Sequence, residues 1–260
     1  MSTMTMVGIV CWIIACTLGM LYQYETRNVM ALRGMILKGL AAFSVVAYAI
    51  VLIAMFGHTT DASIDFVIGL VLVSIADVLI AYLEYIGNGS SESLLQAASG
   101  DSNAKRIILS FAGILFVISF FLQMVAFIKG ISHYATPKDY VVTFAVFIFV
   151  PPIFTALGII VSRFKIPEID SRVFIIGAFF ILLASALFAA ASVFAFSMFP
   201  SDSTDATWVF FGNILFFLSI LMVELRYANP RLYDIKSMRI TSRLLTFLGR
   251  MILAGCAFLF

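Results

Sequence analysis

The sequence predicts an all-α fold: a polytopic membrane protein of about eight transmembrane helices, forming a single domain over residues 1–260. Three observations carry that expectation. The chain is 63% apolar. Its apolar residues gather into stretches near 4–22, 30–56, 63–85, 107–129, 139–162, 172–198, 206–226 and 242–260. Each is about as long as the roughly 20 helical residues that cross a hydrocarbon core. Most stretches, finally, are apolar all round, whereas a soluble helical core would show polar faces at helical period.

Taken in order, the first stretch lacks a basic leader and a small-residue cleavage site, so it reads as a retained helix. The second carries Arg33 and Lys38, and the third carries Asp77. Between the third and fourth lies a polar loop from Gly87 to Asn103. Its glycines and serines lack the spacing of a phosphate loop, so it reads as a linker. Ser119 and Gln123 lie in the fourth stretch. The fifth runs without a polar face from Phe144 to Val150 and meets Pro151 and Pro152, a pair that removes two backbone donors and predicts a hinge. Glu224 falls near the end of the seventh stretch and Arg250 within the eighth.

A net charge of +2 excludes a nucleic-acid binder, which needs a basic face. The basic residues follow topology instead. Arg27, Lys105, Arg106, Arg163, Lys165, Arg172, Arg226, Arg231, Lys236, Arg239 and Arg243 fall on one side, and only Lys129 and Lys138 on the other. The positive-inside rule assigns the first set to the cytoplasm and both termini to the outside, the inner membrane being the location in a bacterium. Cys11, Cys16 and Cys256 all lie in apolar stretches without zinc or CxxC spacing, and read as small buried residues.

The third and seventh stretches align. Gly69 matches Gly212, and Asp77 falls opposite Ile220. Both are third in their half of four, which suggests a parallel four-plus-four tandem repeat.

In lipid a charged side chain costs roughly 2.5–3.5 kcal/mol at a helix centre on insertion scales, so the few inside carry the functional expectation. At 1.5 Å per residue, Lys38, Asp77 and Arg250 lie roughly 14, 12 and 11 Å from the cytoplasmic end. These depths are compatible with one polar site enclosed by the second, third, seventh and eighth stretches. Arg33 and Glu224 are shallower, within reach of the headgroups. Asp77 is too short to snorkel. A structural ion pair with Lys38 or Arg250 is the bland account of it.

Eight helices, a lysine early in the second, and the pattern Gly69-x-x-x-x-Ser74-x-x-Asp77 in the third resemble the YhhN-like lysoplasmalogenase family of membrane enzymes. The resemblance covers the whole chain, with its best match at Leu70–Ala81. Lys38-Gly39 stands where that family carries Lys-Pro. The family's second aspartate falls on Ile220, its fourth-helix histidine has no match, and its eighth-helix motif becomes Phe247-Leu248-Gly249-Arg250.

The resemblance implies hydrolysis of the vinyl ether of a lysoplasmalogen, a lysophospholipid-like membrane lipid, to a fatty aldehyde and a glycerophospho-head group. Such a reaction asks for an acid to protonate carbon and a second carboxylate to assist. Asp77 and Glu224 are the catalytic candidates, Glu224 lying one turn beyond Ile220 on the same face. Lys38, Arg250 and Arg33 are the candidates for the lipid phosphate. Neither cofactor nor metal is expected. The alternative is a non-catalytic lipid- or ion-handling membrane protein whose Lys38–Asp77–Arg250 network opens and closes. A GxSxG elbow is absent, and His58 and His133 belong to the outer side.

Overall fold

The computed structural model describes residues 3–26, 31–56, 59–86, 103–134, 171–228 and 235–260, with parts of 141–156. The linker at 87–102 and most of the fifth predicted stretch lie outside the described residues. The fold is all-α. It contains α1 (Thr3–Glu25), α2 (Leu32–Phe56), α3 (Asp61–Ile86), α4 (Asn103–Tyr134), α5 (Ser171–Met198), α6 (Ser203–Ala228) and α7 (Lys236–Gly255), with a closing 3-10 turn, Ala257–Leu259. All seven α-helices are long and apolar enough to cross a membrane. The described residues of 141–156, both prolines among them, are helical too.

Local chemistry sets the helix starts. Thr60 and Ser63 exchange side-chain-to-backbone hydrogen bonds at the start of α3, satisfying two donors that a helix end leaves open. Asp202 accepts from the backbone of Thr204 and Asp205 at the start of α6. α7 corrects the expected boundary: it opens at Lys236, six residues before 242. Its first turns alternate polar and apolar residues at helical period, so a hydropathy reading begins too late.

Contacts give each helix a direction. Gly8 of α1 faces Met55 of α2, and Phe56 stacks on Phe258, so both ends of the described chain lie at one end of the bundle. α4 and α5 run the same way, because Phe116 meets Phe180 and Phe127 meets Phe194. The chain after Tyr134 therefore starts at one end of the bundle and reaches Ser171 at the other.

The neighbour pattern repeats in the two halves. α3 packs chiefly on α4 and next on α2, while α6 packs chiefly on α7 and next on α5. Gly69 of α3 lies against Gln123 and Ser119 of α4, and Gly212 of α6 against Ile252 and Leu253 of α7. Across the halves, α4 lies parallel to α5 and α2 parallel to α7, where Tyr48 approaches Gly255. These are the relations that a parallel repeat generates.

Large apolar side chains such as Trp12, Ile50 and Phe121 point outward, as a lipid-facing surface requires. Lipid removes the hydrophobic drive between helices, so small residues and polar links hold them together. Ser119 donates to the Gly69 carbonyl at 2.8 Å, Gln123 donates to Ser119 at 2.9 Å, and Asn213 donates to the Phe188 carbonyl at 2.9 Å. Phe66, Phe127, Phe194 and Phe260 fill the end of the bundle near both termini.

Gly249 tests this packing. A Cβ there would lie 2.6 Å from the Phe216 backbone nitrogen, which cannot move aside as a side-chain tip would. Gly249→Ala is expected to destabilise the bundle by about 1–3 kcal/mol, the usual cost of overpacking. Gly39→Ala, whose Cβ would meet only Val78 at 3.4 Å, is expected to be nearly neutral. Thermal unfolding of both variants in detergent checks the contrast.

Candidate functional site

α3 turns Asp77 toward α2 and α7. Lys38 of α2 holds its ammonium 3.9 Å from one carboxylate oxygen, and Arg250 of α7 donates to the other. The side chains of Lys38, Asp77 and Arg250 are 16%, 14% and 11% exposed. The Arg250 guanidinium also lies 5.5 Å from the Phe216 ring centroid on α6. Three distant parts of the sequence thus meet around one carboxylate, and α6 supplies an aromatic face behind it.

The triad carries two positive charges and one negative. It also has spare donors. The ion pair with Asp77 is the one interaction of Lys38 among the described residues, and at 3.9 Å it leaves the ammonium hydrogens without a hydrogen bond. Arg250 Nε is buried without a hydrogen-bond partner. A buried donor without a partner costs about 1–3 kcal/mol, so this cluster is incomplete as pure structure.

A second rung lies nearer the α1 C-terminal end. Arg243 of α7 donates to Glu84 of α3 at 2.9 Å and to the Thr26 carbonyl at 2.9 Å. Its guanidinium lies 5.7 Å from the Tyr22 ring centroid. The Glu84 side chain is only 5% exposed. Glu84 follows Asp77 by seven residues and Arg243 precedes Arg250 by seven, so each pair of like residues shares a helix face. α3 and α7 run antiparallel, which brings acids and bases into two rungs roughly 10 Å apart at 1.5 Å per residue.

The sequence reading missed this rung. On sequence alone, Arg243 is assigned to the cytoplasmic side and Glu84 is given no role. The seven-residue spacing was the available signal. Of the other candidates, Arg33 is exposed at the start of α2. Glu224 lies on α6, but its side chain is outside the described residues. Ile220 packs against the apolar core, so the repeat position opposite Asp77 carries no charge. At the other end of the bundle, Lys129 pairs with Asp65 at 2.6 Å, with 45% of the lysine side chain exposed. Cys11, Cys16 and Cys256 are free, and among the described residues no three metal-ligating side chains converge.

Fold and site together define a multi-pass integral membrane protein with a buried ion-pair ladder. No family model, curated protein or solved structure matches the chain.

Chemically, both carboxylate oxygens of Asp77 face cations, an arrangement that holds the two cations in position. Removing the acid alone strands two cations in a low-dielectric interior. Asp77→Asn is therefore expected to cost about 3–5 kcal/mol, as breaking buried pairs does. The double change Asp77→Asn with Arg250→Met removes the acid and one stranded charge together. It is expected to be more stable than Asp77→Asn alone, as a double-mutant cycle in detergent measures.

Proposed function

We propose that the protein binds the phosphate-bearing head group of a lysophospholipid at the Lys38–Asp77–Arg250 triad, as a lipid-handling membrane protein. One observation carries this reading: among the described residues, two cations share one buried carboxylate, Lys38 at 3.9 Å, and Arg250 Nε is buried without a hydrogen-bond partner. An anion such as a phosphate would balance the second cation and accept from these donors. Ionisable residues within a membrane are costly and are retained chiefly where they serve a ligand, an ion or a proton. Lys38 and Arg250 are the phosphate ligands in this reading, and Asp77 holds the two cations apart and oriented.

The lysine and arginine bias supports a cytoplasmic placement of the Arg243 end, with both termini outside. The lipid would then enter from the inner leaflet; in a bacterium the membrane would be the inner one.

A second reading, hydrolysis of a lysoplasmalogen, is favoured by the Gly69-x-x-x-x-Ser74-x-x-Asp77 pattern that resembles the YhhN-like family. Asp77 would be its acid and Glu224 its second carboxylate. Ser74 does not join that chemistry, since its hydroxyl bonds the Leu70 carbonyl at 2.7 Å within its own helix. The orientation of the Asp77 carboxylate toward cations favours binding over proton donation.

One preparation tests both. Purified protein in nanodiscs is titrated with a lysoplasmalogen while free aldehyde is followed. Saturable binding without aldehyde is expected, and Lys38→Met is expected to weaken it at least about tenfold, the loss of a charge-assisted hydrogen bond. Aldehyde release by the folded wild-type protein would establish the hydrolase reading instead. Absence of binding by folded protein would sink the lipid reading.

A further inference from the structure

Between the two rungs, α1 presents polar atoms that the fold leaves without partners. The Tyr22 side chain is buried, the residue only 4% exposed, yet its hydroxyl makes no hydrogen bond. Both amide atoms of Gln23, donor and acceptor, are buried and unpartnered too. The flanking contacts fix where these residues sit. Gly19, one turn before Gln23, lies against Phe247 of α7, and the Thr26 carbonyl takes the Arg243 hydrogen bond. Tyr22 forms one buried cluster with Ala81 of α3, and Met35 and Leu37 of α2 pack against that cluster. Leu37 immediately precedes Lys38. The Tyr22–Gln23 pair therefore occupies the layer between the Asp77 rung and the Glu84 rung, beside the helices that carry the triad.

The chemistry of these atoms narrows what would fit them. Gln23 offers one group that donates and one that accepts, and a tyrosine hydroxyl does both. A hydroxyl is the complementary group, since it also donates and accepts. A choline head has no hydrogen to donate, and an ammonium has nothing to accept with. We infer that Tyr22 and Gln23 form a head-group subsite for a lysophospholipid whose head alcohol bears hydroxyls, a glycerol head being the simplest. The inference rests on the proposed binding of the lipid phosphate at the triad. With the phosphate at Lys38 and Arg250, the head alcohol extends toward the Glu84 rung, over a layer spacing of roughly 10 Å that a glycerol head does not exceed.

The test uses the full chain in nanodiscs with lysophosphatidylglycerol and lysophosphatidylcholine of one acyl chain. Wild-type protein is expected to prefer the glycerol lipid. Gln23→Leu is expected to lower affinity for the glycerol lipid about tenfold more than for the choline lipid, the equivalent of about one buried hydrogen-bonded group. Tyr22→Phe, which removes only the hydroxyl, is expected to act in the same direction. In ligand-free protein, Gln23→Leu is expected to hold or raise the melting temperature, because it removes an unpartnered buried amide.

A preference for the glycerol lipid that survives both substitutions is a charge effect alone and overturns the inference. A fall in ligand-free melting temperature with Gln23→Leu would show an internal partner, water included, and would overturn it as well. The parent reading fails separately: if Lys38→Met binds both lipids as wild type does, the phosphate is not held at the triad. Folded wild-type protein that binds neither lipid removes both.

Discussion

The Asp77 carboxylate is the point on which the bundle's polar interior turns. It draws Lys38 from α2 and Arg250 from α7 to one place. α2 and α3 belong to the first half of the chain and α7 to its end, so the carboxylate ties the two halves across the bundle. In water such a link would contribute little. Inside a bilayer the alternative is a bare charge in hydrocarbon, so the three groups constrain one another strongly. The Arg243–Glu84 rung repeats the constraint seven residues away on both helices. Two rungs fix the rotation of α7 about its axis, where one would leave it free to roll.

The near-repeat makes this asymmetry informative. α3 with α4 and α6 with α7 are packed by the same logic, glycine against the following helix. Yet Asp77 has no counterpart in the α6 copy, where Ile220 stands opposite it and packs into the core. Arg243 and Arg250 sit on α7 and Lys38 on α2. The packing frame is thus shared by the two copies, and the Asp77 charge breaks it. A purely structural role for ion pairs would be served as well by a symmetric set, or by none, since apolar replacements often stabilise as much.

Much of this was legible in the sequence, and the reason is the solvent. Apolar runs of fixed length mark helices because the bilayer permits little else, and that exposed eight stretches and three deep charges. Equal depth along the helices pointed to Lys38, Asp77 and Arg250 as neighbours without any contact information. The start of α7 was misjudged because its opening turns are amphipathic. The Arg243–Glu84 rung was missed because residues near helix ends look like topology signals. Tyr22 and Gln23 were invisible for a different reason. They carry no charge, and only coordinates reveal that a buried amide has no partner.

The orientation of Asp77 separates two kinds of chemistry. A general acid must present a protonated oxygen to the atom it protonates. Here one oxygen accepts from a guanidinium and the other faces an ammonium. Handing over a proton would require Arg250 or Lys38 to let go, stranding a cation as the reaction began. A bound anion imposes no such demand. An anion bound there would add acceptors to Lys38 and to Arg250 Nε and leave the Asp77 contacts in place. The same reasoning explains why the residue is an aspartate on a rigid helix rather than a longer acid. A short side chain cannot follow its cations outward, so it holds them at a fixed depth in the bundle.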